Sequence, residues 1–264
     1  MAVKGRILVT GGGTLLGDSI ASALLAEGAE VVLFVRAGGE ARLGTLADRV
    51  RWFTVDVWDP ASLKGRARGC TAAIHTVGSL TADPSQGLTY QWLNFISARN
   101  VANLCVSSGV GHMVLMSGAR APWIPSQYIA AKREAEQYIA RVGLRGTVIR
   151  APLTYRRGAR RQPFFALMSL LGGVPPWSWL GLRRAAPLPL DVLARGVARM
   201  TLEPRQGGEI YYAGDLRRRS TRGELRDGYP TDQEIDALRG SPAAATIPES
   251  DREIPFGWTP GDRP

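Results

Sequence analysis

Two rhythms of apolar and polar positions alternate along the first part of this chain, and glycines mark most of the changes between them. Residues 6–10 (RILVT) form a short apolar, β-branched run, and Gly11, Gly12 and Gly13 follow it. Residues 15–27 then place Leu16, Ile20, Ala23 and Leu24 at helical spacing until Gly28. Residues 30–35 return to a continuous apolar run, as expected of a strand buried on both faces. A polar, glycine-containing loop leads to a third strand at 51–55, and Asp56-Val57-Trp58-Asp59 ends it. Pro60 suits the first turn of a short helix. Residues 71–77 read as a fourth strand ended by Gly78, and residues 85–108 as one long helix. Residues 112–116 give a fifth strand. Ser126 stands as N-cap of a helix from Gln127 to about Val142, and residues 146–150 give a sixth strand.

Strands alternating with helices predict an α/β fold, a doubly wound parallel sheet covered on both faces. The carboxyl edge of such a sheet would gather Gly11 to Gly17, Arg36, Asp56, Thr76, Val77, Gly78, Ser117 and Ala151-Pro152. From Pro152 the pattern loosens. Arg156, Arg157, Arg160 and Arg161 make a basic loop, residues 191–202 an amphipathic helix and residues 209–213 a last strand. Residues 221–224 have capping-box spacing, cut short by Asp227-Gly228-Tyr229-Pro230. We expect residues 1–152 as a nucleotide-binding domain. Residues 153–240 are expected as a small C-terminal substrate lobe whose strand and helix return to the sheet, and 241–264 as an extended tail.

Composition narrows the function less. The 264 residues suffice for one large domain, and the N-terminus enters a strand too early for a leader peptide, so a cytoplasmic location is expected. Cys70 and Cys105 lack metal or redox spacing, and His75 and His112 read as structural, so no metal site is expected. The net charge of +10 comes almost wholly from arginines spread along the chain, and no nucleic-acid motif accompanies them. Residues 164–182 (FFALMSLLGGVPPWSWLGL) are uncharged, but Gly172-Gly173 and Pro175-Pro176 interrupt them. Two readings stay open there. One is the apolar lining of a substrate pocket; the other is a peripheral membrane or protein contact, which would suit a lipophilic substrate.

The glycine-rich turn carries the strongest chemical signal. Strand, turn, helix and strand in succession offer free N–H groups at a helix start to a pyrophosphate. Gly11, Gly12, Gly13, Thr14, Leu15, Leu16 and Gly17 are its candidate contacts. In the spacing TGxxGxxG, Thr10, Gly11 and Gly17 fit, and Thr14 stands at the middle glycine. Arg36, ending the second strand, suits the 2′-phosphate of NADP(H), the expected cofactor, with NAD(H) as the alternative. Asp56 and Val57 are placed for an adenine, and Thr76, Val77, Gly78 and Pro152 for the rest of the nucleotide.

Tyr128 and Lys132 lie four apart on one helix face, near that edge. A lysine ammonium beside a phenol would lower the tyrosine pKa and ready it for proton exchange with a substrate oxygen. Ser117 ends the fifth strand and is a third candidate for catalysis, although Gly118 leaves that alignment ambiguous by one.

Together TGGGTLLG, DVWD, IHTVG, Asn94 and YIAAK resemble the short-chain dehydrogenase/reductase superfamily over about residues 3–215. Arg36, YIAAKREAE and the short serine-to-tyrosine spacing look like its atypical group. That group includes the NADPH-holding accessory subunit of respiratory complex I and proteins associated with ubiquinone synthesis. The resemblance implies a Rossmann fold, NADP(H) held through Gly11 to Gly17, Arg36, Asp56 and Lys132, and catalysis by Tyr128 and Lys132. Two function classes follow: an NADPH-dependent reductase of a carbonyl or quinone-like substrate, and a non-catalytic NADPH-holding accessory or sensor protein. An epimerase or dehydratase is a weaker third. Two long helices could also form a face between copies of the chain.

Overall fold

Strict alternation along the first two strands decides which side chains face which layer. β1 (Arg6–Gly12) turns Ile7 and Val9 to one face and Leu8 to the other; β2 (Glu30–Val35) does the same with Val31, Leu33 and Val35 against Val32 and Phe34. Both faces must therefore be covered. The computed structural model describes residues 5–151, 154–155, 188–203 and 209–220. Within them a seven-stranded sheet runs in the order β3-β2-β1-β4-β5-β6-β9, with every pairing parallel. Its members are β3 (Arg51–Thr54), β4 (Ala72–His75), β5 (His112–Gly118), β6 (Arg145–Ala151) and β9 (Glu209–Tyr212). Two short strands, β7 (Thr154–Tyr155) and β8 (Leu188–Pro189), pair separately. The direction of winding reverses between β1 and β4, the place where such sheets open a ligand crevice.

One face carries α1 (Leu15–Ala26) and α5 (Leu190–Leu202), the other α3 (Ser97–Ser108) and α4 (Ser126–Arg141). A single turn, α2 (Pro60–Leu63), is capped by Asp59, and α6 (Ala213–Arg218) closes the described chain. Glu27 at the end of α1 accepts from Arg195 and Arg199 of α5 at 3.3 and 3.0 Å, which ties the two helices of that face together.

Three expectations are corrected. Residues 85–108 are not one helix: a 3₁₀ turn (Pro84–Gln86) comes first, then a π-helical turn (Gln91–Ile96), then α3. Asn94 sits in that turn: its side chain accepts from the Ser79 amide and donates to the Ser79 carbonyl, both at 3.0 Å, and donates as well to the Tyr90 carbonyl one turn earlier at 3.1 Å. Ser126 is not an N-cap; Pro125 holds that position and Ser126 is the first helical residue. The polar loop after β2 contains a 3₁₀ helix (Glu40–Asp48) that buries Leu43 and Leu46. Pro152, the arginines at 156–161, residues 164–182 and 221–224 and the tail lie outside the described residues.

Candidate functional site

The turn after β1 is built to bring backbone close to backbone. Gly11 and Gly13 have φ of 84° and 76°. A Cβ on Gly17 would lie 2.1 Å from the Gly11 carbonyl oxygen, so only glycine lets α1 seat against the strand end. Thr14 is the N-cap: its hydroxyl donates to the Gly11 carbonyl at 2.6 Å and accepts from the Gly17 amide at 3.2 Å. The residue that departs from the glycine spacing thus locks the turn. Asp18, buried in the first turn of α1, accepts from the Gly13 amide at 2.9 Å, a contact sequence reasoning missed. The first intrahelical bond runs from the Asp18 amide to the Thr14 carbonyl, so the amides of Leu15 and Leu16 have no intrahelical partner.

The loop after β2 leans on this turn. A Cβ on Gly13 would lie 2.7 Å from the Gly39 carbonyl oxygen, and Gly39 packs against the stem of Arg36. Arg36 is half-buried beside the turn. After β3, the Asp56 carboxylate accepts from the Trp58 amide at 2.9 Å, and the Val57 carbonyl accepts from Asn100 at 3.1 Å. After β4, Thr76 is turned into the seam with β1. Its hydroxyl donates to the Thr10 carbonyl at 2.6 Å, and its amide donates to the Thr10 hydroxyl. His75 is a core histidine: Thr10 and Ser97 hold its two ring nitrogens, and burial, with the Lys132 charge, keeps it well below its ordinary pKa.

Lys132 reaches from α4 to the end of β4. Its ammonium donates to the Val77 carbonyl at 3.2 Å, and a Cβ on Gly78 would lie 2.5 Å from both Lys132 Nζ and Asn94 Oδ1. Gly78 is therefore the notch that seats the lysine. Burial draws the Lys132 pKa down to about 7, against the charge of Glu136. Tyr128 is equally buried, and its phenol lies above its ordinary value despite Arg133 nearby. The expected lowering of the Tyr128 pKa is corrected: both groups are desolvated, and Lys132 Nζ stands 5.9 Å from the centre of the ring.

Ser117 and Gly118 divide the roles expected of one serine. A Cβ on Gly118 would lie 2.5 Å from Tyr128 Cε1 and 3.1 Å from its hydroxyl, so it is the glycine that faces the phenol. The Ser117 hydroxyl donates to Glu136 at 2.6 Å and accepts from Arg133 at 3.1 Å. Glu136 also pairs with Arg133 and, through both oxygens, with Arg150. Burial pushes its carboxyl up, but the Arg150 and Ser117 hydrogen bonds and the two guanidinium charges overcome this and hold it below the usual carboxylate range. The spacing of Arg133 and Glu136 on α4 was the one signal of this cluster in the sequence.

A parallel sheet with a winding reversal, a glycine-rich turn and helix amides at that reversal defines a dinucleotide-binding α/β protein. The family model described as NAD(P)H-binding matches residues 11–162, more than half of the chain, and the chain belongs to that family. Vestitone reductase of Medicago sativa is 28% identical over 116 residues, which are 40% of this chain and 35% of that protein. This chain thus spans about a third of that relative's length. The crystal structure of vestitone reductase superposes with a TM-score of 0.54 at 20% identity, over 78% of this chain and 76% of that one. The Bordetella bronchiseptica enzyme WbmG in complex with NAD gives 0.59 at 16%, over 89% and 77%. The Thermus thermophilus UDP-glucose 4-epimerase complex with NAD gives 0.52 at 21%, over 80% of each chain. These structures share the fold with this chain. No helix among the described residues is long and apolar enough to cross a membrane.

Proposed function

We propose that this chain is an NADPH-dependent oxidoreductase acting on a carbonyl or quinone-like substrate. The observation that carries the reading is the buried Lys132, seated in the Gly78 notch and bonded to the Val77 carbonyl, with Tyr128 one turn earlier on the same helix. The turn fits a dinucleotide: glycines stand where a Cβ would strike backbone, and the Leu15 and Leu16 amides lack an intrahelical partner. In this reading those amides hold the diphosphate, Arg36 the 2′-phosphate, Asp56 and Val57 the adenine, and Thr76 to Gly78 line the path to the nicotinamide. When bound, the nicotinamide supplies a hydride. Tyr128, kept neutral by burial, gives its proton to the substrate oxygen. Lys132, near pKa 7, is suited to hold a ribose hydroxyl and return that proton. Ser117 keeps Glu136 in place rather than touching substrate.

A second reading is favoured by one observation. The position facing the Tyr128 hydroxyl is Gly118, so among the described residues no side-chain donor stands there, which suits a protein that holds NADPH without turnover. An epimerase or dehydratase is the weaker third reading. Contact with a membrane or a partner protein through residues 164–182, and pairing of two copies of the chain, are carried as proposals.

The test is a titration with NADPH and NADH followed by tryptophan fluorescence, then NADPH oxidation with a carbonyl and quinone panel. Preference for NADPH that Arg36→Asp reverses supports the phosphate assignment. Turnover that Tyr128→Phe abolishes while nucleotide binding persists supports the reductase; undiminished turnover in that variant sinks it. Tight NADPH retention with no oxidation across the panel selects the second reading. Binding of neither nucleotide defeats both.

A further inference from the structure

Ile129 and Arg133 lie one residue beyond the buried Tyr128 and Lys132 on α4, and they line a cleft next to that pair. There the described residues enclose a cleft of about 800 Å³ between the loop after β5, the start of α4 and the ends of β6 and β9. Ile124 and Ile129 give it apolar walls, and Arg120, Ser126, Arg133, Arg150 and Tyr212 give it polar groups. No Asp or Glu is among the described residues lining it.

The charge does not balance. Arg133 and Arg150 share the single carboxylate of Glu136, with side-chain exposures of 26%, 18% and 10%. Two guanidinium groups on one carboxylate leave a net positive charge in a partly buried wall, and exposed Arg120 adds another. A purely structural pair needs only one arginine, and a second costs desolvation. Arg150 is also fixed in orientation. Its Nε and Nη2 both go to Glu136, and its Nη1 donates to the Tyr212 hydroxyl at 2.9 Å. Arg133 is fixed likewise by the Gly118 carbonyl, the residue over which the Tyr128 ring packs. An excess of rigidly held guanidinium beside apolar surface is what recognises an acidic head on an apolar body.

We propose that this cleft binds an organic anion, a carboxylate or phosphate carried on an apolar body, as the substrate of the proposed reductase or as part of it. Only the word substrate rests on the oxidoreductase reading; the anion site rests on the arginines.

The test uses the full chain saturated with NADP⁺ and two fluorescent probes of like shape, anionic 8-anilino-1-naphthalenesulfonate and neutral N-phenyl-1-naphthylamine. The sulfonate is expected to bind at least about tenfold more tightly than the neutral probe. Arg120→Gln should weaken the sulfonate about three- to tenfold and leave the neutral probe unchanged. Hexanoate should displace the sulfonate at lower concentration than acetate or inorganic phosphate does. Arg150→Gln should abolish the preference; should that variant not fold, Arg120→Gln, at an exposed position, carries the test alone. Equal binding of the two probes, or sulfonate binding indifferent to Arg120→Gln, overturns the proposal. If neither NADPH nor NADH binds in the earlier titration, the probes are titrated without NADP⁺. Arg120-dependent sulfonate binding would then leave the anion site standing while the oxidoreductase reading falls.

Discussion

Replacing Lys132 with methionine removes an ammonium and keeps an unbranched chain of similar length. Lys132 is 1% exposed, and burial draws its pKa from 10.5 to about 7. In the unfolded chain the same group titrates at about 10.4. Between these values the unfolded chain holds a proton that the folded chain has released, so wild-type stability rises with pH through that window. Below pH 7 both states hold the proton, and the unfavourable contribution is at its full size. Each pH unit well inside the window is worth about 1.4 kcal/mol; the folded group is half titrated at pH 7, so the change between pH 7 and pH 9 is about 2 kcal/mol. Lys132→Met lacks this contribution. Its stability relative to wild type should therefore be greatest below pH 7 and fall by about 2 kcal/mol between pH 7 and pH 9. Loss of the bond to the Val77 carbonyl adds an offset that does not vary with pH. The thiols of Cys70 and Cys105, which burial pushes up, titrate in both proteins and cancel in the difference. The assay is urea unfolding by tryptophan fluorescence at pH 7, 8 and 9. A difference that stays constant across the three would mean that folded Lys132 keeps its proton, and the desolvation argument would fail.

Other consequences are more local. Thr14→Ala removes the cap on Gly17 and should cost about 1 kcal/mol, seen as a melting temperature lower by about 3 °C; an unchanged melting temperature would count against the cap. Gly118→Ala puts a methyl into the Tyr128 ring, so near-ultraviolet circular dichroism should change and any turnover should drop about tenfold or more; a variant identical to wild type in both would contradict that contact. Ser117→Ala takes a donor from Glu136 and should cost about 1–2 kcal/mol in urea unfolding while sparing nucleotide affinity and turnover. A hundredfold loss of turnover with unchanged stability would return Ser117 to catalysis.

The strands and the glycine turn were legible because their signals are local. Residues 6–35 carry period, punctuation and burial within one short stretch. What the sequence hid is tertiary. The segment before α3 has a helical pattern, but Asn94 bonds to both backbone groups of Ser79, fifteen residues earlier, as well as to Tyr90 of its own helix, and the helical pattern does not reveal that tie. The Tyr128–Lys132 spacing was readable; the depth at which the pair lies was not, and depth reversed the expected sign of the tyrosine shift. Thr14 was readable as an N-cap, since it stands just before an apolar helical run, yet the glycine template drew attention to what it lacked. Arg150 and Glu136 meet only because β6 lies beside β5.

The clamp of Glu27 by Arg195 and Arg199 bears on how the molecule is made. On a ribosome α1 emerges long before its cover does. Its apolar face, with Ile20 and Leu24, waits for Val192, Leu193 and Val197 of α5 to be synthesised. The nucleotide turn sits at the head of that same helix. A nascent chain would therefore gain a firm turn only once α5 has emerged, and until then α1 is the surface a chaperone would find.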